Sequence, residues 1–361
     1  MTSERDDLID AVNRTCDRHQ QPAADGWDEA LWAALENLGV TLLCVPEENG
    51  GAGADHAMTA AVLATLAARA AAVPAAETLL AGGLLASAGQ QVPAGPLSAA
   101  PAGQELTIRP DGRGYVLTGT LARVPWARHV RTVVMLGETS GRPAVASLDP
   151  QACVLQPGAN LAGEPRDTLV LDAVQLSGGQ VAELPGRGEQ ATARFALRAA
   201  AARVAQLSGA AQRALELSTA YSCERHQFGR PLRAFQVVQQ HLAAMAGEVL
   251  LLQTAAAAAA LAMDTSADPG LAITAAKTVA GPAATAICAI AHQLHGAIGF
   301  TDEHPLHLAT TRLWAWREEY GSDHEWAARL AERALAGNGG ALWPMLTGTL
   351  PHSGPPGSAA S

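Results

Sequence analysis

The chain has 361 residues, of which 34 are acidic and 24 basic, so its formal net charge at neutral pH is −10. A chain of this length can fold as two or three compact units, each with a sizeable core. The acidic balance argues against nonspecific binding to nucleic acid, and we expect no nucleic-acid partner. Aromatic residues make up only 4% of the chain, and the long alanine runs favour closely packed helices.

The first part of the chain predicts a helical domain, residues 1–90. Apolar residues recur at helical spacing in residues 8–38, and residues 56–88 return to that pattern with an interruption at Pro74. Between these helical stretches lies VTLLCVPEENGG, residues 40–51. We expect a buried extended piece there, followed by a turn at the paired glycines.

The pattern changes in the middle of the chain. Residues 93–110 are rich in Pro, Gly and Ala and predict a linker. Short apolar or alternating runs then follow between turns, which is typical of strands; they are residues 115–117, 130–135, 144–148 and 168–171. We predict a small antiparallel β domain over residues 91–186.

The last third predicts a four-helix bundle over residues 187–337, because four long helical patterns are joined by short connections. Their expected bounds are residues 190–223, 231–263, 268–297 and 306–336. Residues 338–361 are rich in Gly, Pro and Ser and predict a flexible tail. The predicted fold class is therefore α+β, with a helical domain, a small central β domain and a bundle.

The sequence gives no sign of export or membrane insertion. MTSERDDLID lacks the basic and apolar parts of a signal peptide. The most apolar run, residues 249–263, is interrupted by Gln253 and is expected to be too short to span a bilayer. Five scattered cysteines without a CxxC pair indicate free thiols in the cytoplasm, and we predict no metal site.

One stretch concentrates residues suited to binding. Residues 221–245 read YSCERHQFGRPLRAFQVVQQHLAAM. Arg225 offers a planar, permanently charged fork for phosphate or pyrophosphate, and Phe228 offers a flat apolar face. Gly229 and Pro231 interrupt the helix. A helix–loop–helix corner with a solvated arginine is the alternative interpretation.

A second such stretch, residues 293–300, reads QLHGAIGF and also falls at a predicted helix end. Gly296 allows close approach of the backbone to a ligand. The alternative is purely structural: Gln293 would cap the helix and His295 would be a packed imidazole.

With VPEENGGAG at residues 45–53, these stretches resemble the acyl-CoA dehydrogenase family. That family has a Tyr followed by ER-x-QFG-x-PL and FQ-x-xQ-x-xLA-x-M, and later Q-x-HGG-x-GF; its N-terminal segment reads VPEEYGGAG. The resemblance extends over residues 30–336. Ala297 replaces the second Gly of HGG.

The resemblance implies FAD as cofactor and an oligomer, a dimer or tetramer of like or unlike chains. It assigns Arg225 and Phe228 to the pyrophosphate and adenine of a neighbouring subunit's FAD. Gln293 and the backbone at Gly296 would hold the same cofactor from the other side. Gln227 and Gln236 belong to the same motif and are assigned to FAD as well. It also implies a wall near the substrate entrance at Gly50-Gly51, for which a purely structural loop is the favoured alternative.

Two family features are missing. The TEP-x-x-GSD loop, which touches flavin and substrate, has no counterpart in residues 88–112, and the WITNA segment is replaced by Val124-Pro125-Trp126-Ala127. In these respects the chain resembles the family's short branch, met in actinobacterial degradation of steroid side chains and similar acyl-CoAs.

The catalytic base also departs from the family pattern. Family members abstract the α proton of an acyl thioester with a buried carboxylate while flavin accepts the β hydride. The expected Glu, directly before Gly321, is Tyr320, a weak proton donor; the nearest acid is Glu319. The family's other position for this Glu falls at Ala199. We predict Glu319 and Tyr320 as the candidate catalytic residues. The alternative is that Glu318 and Glu319 are both solvated acids in the last turn of the helix.

Three functions follow from the resemblance. The first is an FAD-dependent acyl-CoA dehydrogenase with a non-standard base. The second is a non-catalytic, FAD-clamping subunit that pairs with a catalytic homologue as α2β2. The third is a family member turned to another reaction on a carrier-bound acyl group. The expected ligand is an acyl thioester on CoA or acyl carrier protein, and an electron-transfer acceptor is a further expected partner.

Overall fold

In residues 2–19 and 26–92 the N-terminal part has four helices, which share an apolar core. A computed structural model of the chain describes residues 2–19, 26–103 and 105–335. The helices are α1 (Thr2–Arg18), α2 (Glu29–Asn37), α3 (His56–Ala68) and α4 (Ala75–Ser87). Aspartates cap two of them: Asp28 accepts from the Leu31 N–H at 2.9 Å and Asp55 from the Met58 N–H at 2.6 Å.

The extended piece predicted for residues 40–51 is wrong. The segment is a series of turns followed by a single 3₁₀ turn, Glu47–Asn49. It curls so tightly that a Cβ at Gly51 would lie 2.1 Å from the Val45 carbonyl oxygen. Only glycine permits this close approach of two backbone segments, and the curl places Pro46 and Asn49 beside α3 and α4.

The central part contains two four-stranded sheets. Their strands are β1 (Leu97–Pro101), β2 (Leu106–Asp111), β3 (Gly114–Pro125), β4 (Thr132–Thr139), β5 (Arg142–Leu148), β6 (Val154–Gln156), β7 (Arg166–Ser177) and β8 (Val181–Glu183). The strand orders are β1-β4-β5-β8 and β2-β3-β7-β6. All pairs are antiparallel except β1 with β4.

The linker predicted for residues 93–110 is wrong, because this segment contains β1 and β2. Leu97, Ser98 and Ala99 are fully buried, and β1 pairs with β4 over its whole length. A composition rich in Pro, Gly and Ala is typical of linkers. Here the small side chains instead let a buried edge strand pack tightly beside α4.

The C-terminal part is a helical bundle built largely on alanine. Its helices are α5 (Gly188–Glu224), α6 (Gln236–Thr265), α7 (Gly270–His295), α8 (Leu306–Glu318) and α9 (Asp323–Leu335). A hairpin of β9 (His226–Gln227) and β10 (Arg230–Pro231) joins α5 to α6. Small side chains bring the helices close; a Cβ at Gly209 of α5 would lie 1.9 Å from the Ala64 carbonyl oxygen of α3. The predicted α+β class is confirmed.

A single helix over residues 306–336 was expected, and this prediction is wrong. The chain breaks between α8 and α9, where Tyr320 has φ 59° and Gly321 has φ 103°. Lys277 of α7 stabilises the break, since its Nζ donates to the Arg317 carbonyl oxygen at 2.6 Å. Glu319 and Tyr320, the two residues after α8, therefore do not belong to a helix.

Among the residues that the structure describes, two helical stretches are long and apolar enough to cross a membrane, Gln236–Thr265 and Gly270–Phe300. We expected residues 249–263 to be too short to span a bilayer. This expectation is wrong in length, because these residues belong to α6, which has 30 residues. Buried helices of a bundle meet the same criterion, and α7 lies mostly inside this one. The predicted tail, residues 338–361, lies outside the described residues.

Candidate functional site

The first binding motif folds as an exposed hairpin. Phe228 and Gly229 form its two-residue turn with φ 52° and 78°, as in the type I′ turns of tight hairpins. Gly adopts this conformation freely, whereas a Phe there is strained. The Phe228 side chain is also 91% exposed, and its ring makes a T-shaped contact with Phe235 at 6.2 Å between ring centroids.

Arg225 stands at the base of this hairpin, directly after α5. Its backbone N–H donates to the Tyr221 carbonyl oxygen at 2.8 Å, and the residue is exposed. Within the part of the chain that the structure describes, no carboxylate pairs with its guanidinium. An exposed cation beside an exposed aromatic ring is suited to an anionic, planar ligand.

The second motif ends α7 beside the first. Gly296 terminates the helix with φ 62° and open space where a Cβ would be. The His295 ring stacks on Tyr221 at 4.5 Å between centroids. Since Tyr221 lies four residues before Arg225 on α5, the stack brings both motifs together. Gln293 and Gly296 are exposed, as are Gln227 and Gln236; their assignment to FAD stays a prediction.

Histidines are concentrated at this end of α7. Burial lowers the pKa of His292, His295 and His304. His292 Nδ1 and His295 Nε2 are buried without a hydrogen-bond partner among the described residues. The other ring nitrogens have partners, Thr310 Oγ1 for His292 and the Ala291 carbonyl oxygen for His295. Protonation of either imidazole would therefore leave one buried N–H without an acceptor.

We expect the folded chain to lose stability as the pH falls from 7.5 to 5.5. These histidines bind protons more weakly in the folded than in the unfolded state, whose histidine pKa is about 6.5, so acid favours unfolding. Urea midpoints at the two pH values measure the loss. His295→Phe keeps the stack on Tyr221 and should reduce the pH dependence; an unchanged dependence would contradict a contribution from this histidine.

The candidate base Glu319 lies in a buried ionic cluster, here defined as Glu77, Glu164, Arg166, Arg203, Arg312 and Glu319. Arg166 Nε donates to Glu319 Oε1 at 2.8 Å and Arg203 Nε to Glu319 Oε2 at 2.8 Å. Asn160 Nδ2 donates to Oε1 at 3.1 Å. Burial works to raise the pKa of Glu319, but the two arginines outweigh it and hold the pKa below its usual range.

The rest of the cluster balances the charges. Arg203 Nη2 donates to Glu77 Oε1 at 2.6 Å. Glu164 accepts from the Trp316 Nε1–H at 2.8 Å and lies 3.3 Å from Arg312 Nε. Against burial, Arg312 and Arg166 lower the pKa of Glu164 to about 2. Three arginines thus face three carboxylates, and the cluster joins α4, β7, α5 and the end of α8.

Tyr320, the other candidate, packs between the Phe195 ring and the guanidinium of Arg203. Its ring meets the edge of Phe195 at 6.1 Å between centroids, and its hydroxyl is buried with no hydrogen-bond partner among the described residues. Burial raises the pKa of its phenol well above the usual range. The hydroxyl is therefore a poor proton donor and a worse base. Ala199, at the family's other position for the base, is a fully buried alanine of α5.

A cavity of about 430 Å³ lies between α3, α4, α5 and α6. Small side chains on facing helices leave this space open: Ala76, Gly83, Ala201, Ala202, Ala205, Ala256 and Ala260. Pro46, Glu48 and Asn49 form part of its wall, so the segment expected near a substrate entrance does border a cavity. Neither candidate base lines it. Trp126, in place of the family's WITNA segment, is buried against Trp27 and His129.

Family models match most of the chain. The model described as "Acyl-CoA dehydrogenase, N-terminal domain" matches residues 2–92, and the model described as "Acyl-CoA dehydrogenase, C-terminal domain" matches residues 186–335. The chain belongs to the acyl-CoA dehydrogenase family. This membership confirms the resemblance, and FAD is the cofactor of the family. Bound FAD supplies the acceptor for the β hydride.

A curated acyl-CoA dehydrogenase and two solved structures are similar to this chain over nearly their full length. Acyl-CoA dehydrogenase IpdE2 of Mycobacterium tuberculosis is 32% identical over 340 residues, covering 91% of this chain and 96% of that protein. The steroid ACAD Tcur3481-Tcur3483, solved as a variant, has a TM-score of 0.83 at 25% identity and covers 93% of this chain and 99% of its own. The ChsE4-ChsE5 complex from Mycobacterium tuberculosis has a TM-score of 0.84 at 23% identity, covering 93% and 98%.

The exposed groups of the two motifs fit part of an acyl-CoA dehydrogenase's FAD. Arg225 offers a charge for the pyrophosphate, Phe228 a ring for stacking and Gly296 an open backbone. All three face away from the chain's own core. Residues that reach the cofactor of another subunit must be exposed in this way. Within residues 2–19, 26–103 and 105–335 no group of three or more His, Cys, Asp or Glu is arranged to hold a metal ion.

Sequence reasoning missed the partners of Glu319. Arg203 stands in the run AAAARVAQ and Glu77 in PAAETLL, each the only charge in an apolar helical stretch. A lone charge in such a stretch must find a partner when the helix is buried, which is a usable signal. Which charges meet, however, depends on how α4, β7 and α5 pack, and no local pattern contains that information.

Proposed function

We propose that this chain is the FAD-holding subunit of an acyl-CoA dehydrogenase built from two different chains, in which the other chain supplies the α-proton-abstracting carboxylate. The observation that carries the proposal is the position of Glu319. Its carboxylate is bound by Arg166, Arg203 and Asn160. The acid nearest to the family's base position is thus held in a structural ion-pair cluster, and the base position itself is Tyr320.

A carboxylate in this state is unsuited to proton abstraction. A general base needs a pKa near the working pH and access to the substrate, whereas the pKa of Glu319 is lowered by two cations. Turning Glu319 toward a substrate would leave Arg166 and Arg203 buried and partly unpaired, at a cost of several kcal/mol. Tyr320 does not replace it, because its phenol is buried and its pKa raised.

The surface of the chain supports an assembly. Along α6 the side chains of Leu250 and Leu261 are more than half exposed. They are eleven positions apart and therefore lie on the same face of the helix, and exposed apolar side chains that share a face usually mark a contact. This face of α6 and the exposed Phe228 of the hairpin are suited to a second acyl-CoA dehydrogenase chain. ChsE4-ChsE5 and Tcur3481-Tcur3483 are each named as pairs, which supports unlike chains here.

The substrate class follows from the relatives. We infer an acyl thioester of CoA, and a steroid-derived acyl group among the candidates, because the Tcur3481-Tcur3483 enzyme is described as a steroid ACAD. Free cysteines fit a cytoplasmic location. A dehydrogenase complete in this chain is the second candidate, favoured by the cavity between α3 and α6, which has the size of a ligand pocket.

Glu319→Gln tests the proposal. In the assembled flavoenzyme from the native host we expect turnover with acyl-CoA to change less than about threefold, whereas loss of a general base would cost about a hundredfold or more. Dye-coupled turnover measures the rate, and flavin absorbance checks that FAD is retained. The chain produced alone should not oxidise acyl-CoA.

Glu318→Gln is the matched control, because Glu318 is the preceding residue and its carboxylate is exposed. A hundredfold loss confined to Glu319→Gln, with FAD retained, would overturn the proposal and favour the complete dehydrogenase. The added carboxylate in Tyr320→Glu should produce no activity in the lone chain, since Arg203 lies against this ring and would pair with it.

A further inference from the structure

The cavity between α3 and α6 has a polar wall on α3. His56, Thr59, Ala60 and Leu63 recur at helical spacing on the face of α3 that lines it, with the polar members at the N-terminal end. The walls on α4, α5 and α6 are mostly alanine and leucine, but Ser87 and Arg198 also line the cavity, as do Glu48 and Asn49 of the segment before α3. A ligand is therefore apolar over most of its surface and polar where it meets these side chains.

His56 is held in a fixed orientation at that wall. Its Nδ1 lies 2.7 Å from Asp264 Oδ1, at the end of α6. Asp264 also accepts from the backbone N–H groups of His56 and Ala57, at 2.9 and 3.2 Å. Three hydrogen bonds from one helix end fix the carboxylate, and the carboxylate in turn fixes the imidazole.

The arrangement determines which hydrogen bond the free nitrogen can make. An ionised carboxylate only accepts, so Nδ1 must carry the proton that it shares with Asp264. In the neutral imidazole Nε2 then bears a lone pair and accepts. Nε2 has no hydrogen-bond partner within the described ranges, and it is not closed off from the cavity or from solvent.

We propose that this cavity binds an apolar carbon skeleton that carries a hydroxyl group, and that His56 Nε2 accepts the hydrogen bond from that hydroxyl. The inference deepens the proposed function by naming a ligand class. It rests on the proposed function only if the skeleton is an acyl group on CoA. A free hydroxylated acid has the same chemistry and would occupy the same place.

Calorimetric titration of the FAD-loaded assembly tests the proposal. The probes are ω-hydroxyacyl-CoAs from octanoyl to dodecanoyl, each compared with its unsubstituted acyl-CoA, and the corresponding free acids as a separate arm. At the chain length that reaches His56 we expect the hydroxylated form to bind about fivefold more tightly, as one neutral hydrogen bond allows. The series that shows the preference, the acyl-CoAs or the free acids, identifies whether the ligand is a CoA thioester or a free acid.

Two variants make the result specific. His56→Phe keeps a flat ring without an acceptor and should abolish the preference while leaving binding of the unsubstituted chain. Ala260→Phe fills the apolar wall and should weaken both forms together. His324→Phe, on the exposed surface of α9, is the control and should change neither.

Equal binding of hydroxylated and unsubstituted ligands at every length, in both arms, would overturn the proposal. So would a preference that survives His56→Phe, or binding that Ala260→Phe leaves intact. None of these results touches the FAD-holding role, which flavin occupancy of the same samples reports independently.

Discussion

Arg203→Leu is expected to destabilise the folded chain by about 3–5 kcal/mol, the usual cost of removing one partner from a buried ion pair. Arg203 is 1% exposed and bonds both Glu319 and Glu77. Its loss leaves two carboxylates in the core with one fewer cation. The midpoint of urea unfolding, followed by circular dichroism, measures the change.

Arg198→Leu provides the matched comparison, since Arg198 lies five positions earlier on α5 and is exposed. We expect a change below about 0.5 kcal/mol there. The double replacement of Arg203 and Glu319 by leucine should regain part of the loss, because fewer unpaired charges remain buried. A single-variant cost below about 1 kcal/mol would show that water reaches the cluster and screens it.

Arg225→Ala should weaken FAD binding in the assembly by about 10- to 100-fold, as expected when a hydrogen bond to a charged group is lost. The fold of the bundle should not change, because the Arg225 side chain is exposed and bonds no described residue of its own chain. Flavin titration followed by fluorescence gives the dissociation constant, and circular dichroism gives the fold.

Arg233→Ala is the control for general charge effects, since Arg233 is exposed on the turn that follows the hairpin. Its removal should change FAD affinity by less than about threefold, the effect expected of an unpaired surface charge. Equal losses in both variants would mean that Arg225 acts only through net charge. An unchanged affinity in Arg225→Ala would remove it from the FAD site.

The fold and the cofactor could be predicted because their signals are local. Residues 225–231 form one hairpin and residues 293–296 one helix end, so their motifs can be recognised within a few positions. The role of Glu319 could not be predicted in this way. Its partners Asn160, Arg166 and Arg203 come from distant segments, and whether a carboxylate is free or paired depends on packing.

The small central domain was also only partly predictable. The strands within residues 115–171 show apolar or alternating patterns, whereas β1 does so weakly because Ser98 and Ala99 carry little pattern. Its burial follows from pairing with β4, which lies more than thirty positions later. Tertiary contact overrides composition at such a strand.

The ionic cluster has a consequence for how the chain can be divided. Its charges come from the N-terminal helices, the sheets and the bundle, so each part alone would keep some of them without their partners. A fragment limited to residues 188–335 would retain Arg203, Arg312 and Glu319 but lose Glu77, Glu164 and Arg166. We expect such a fragment not to fold independently, and the three parts to unfold together in a single cooperative transition.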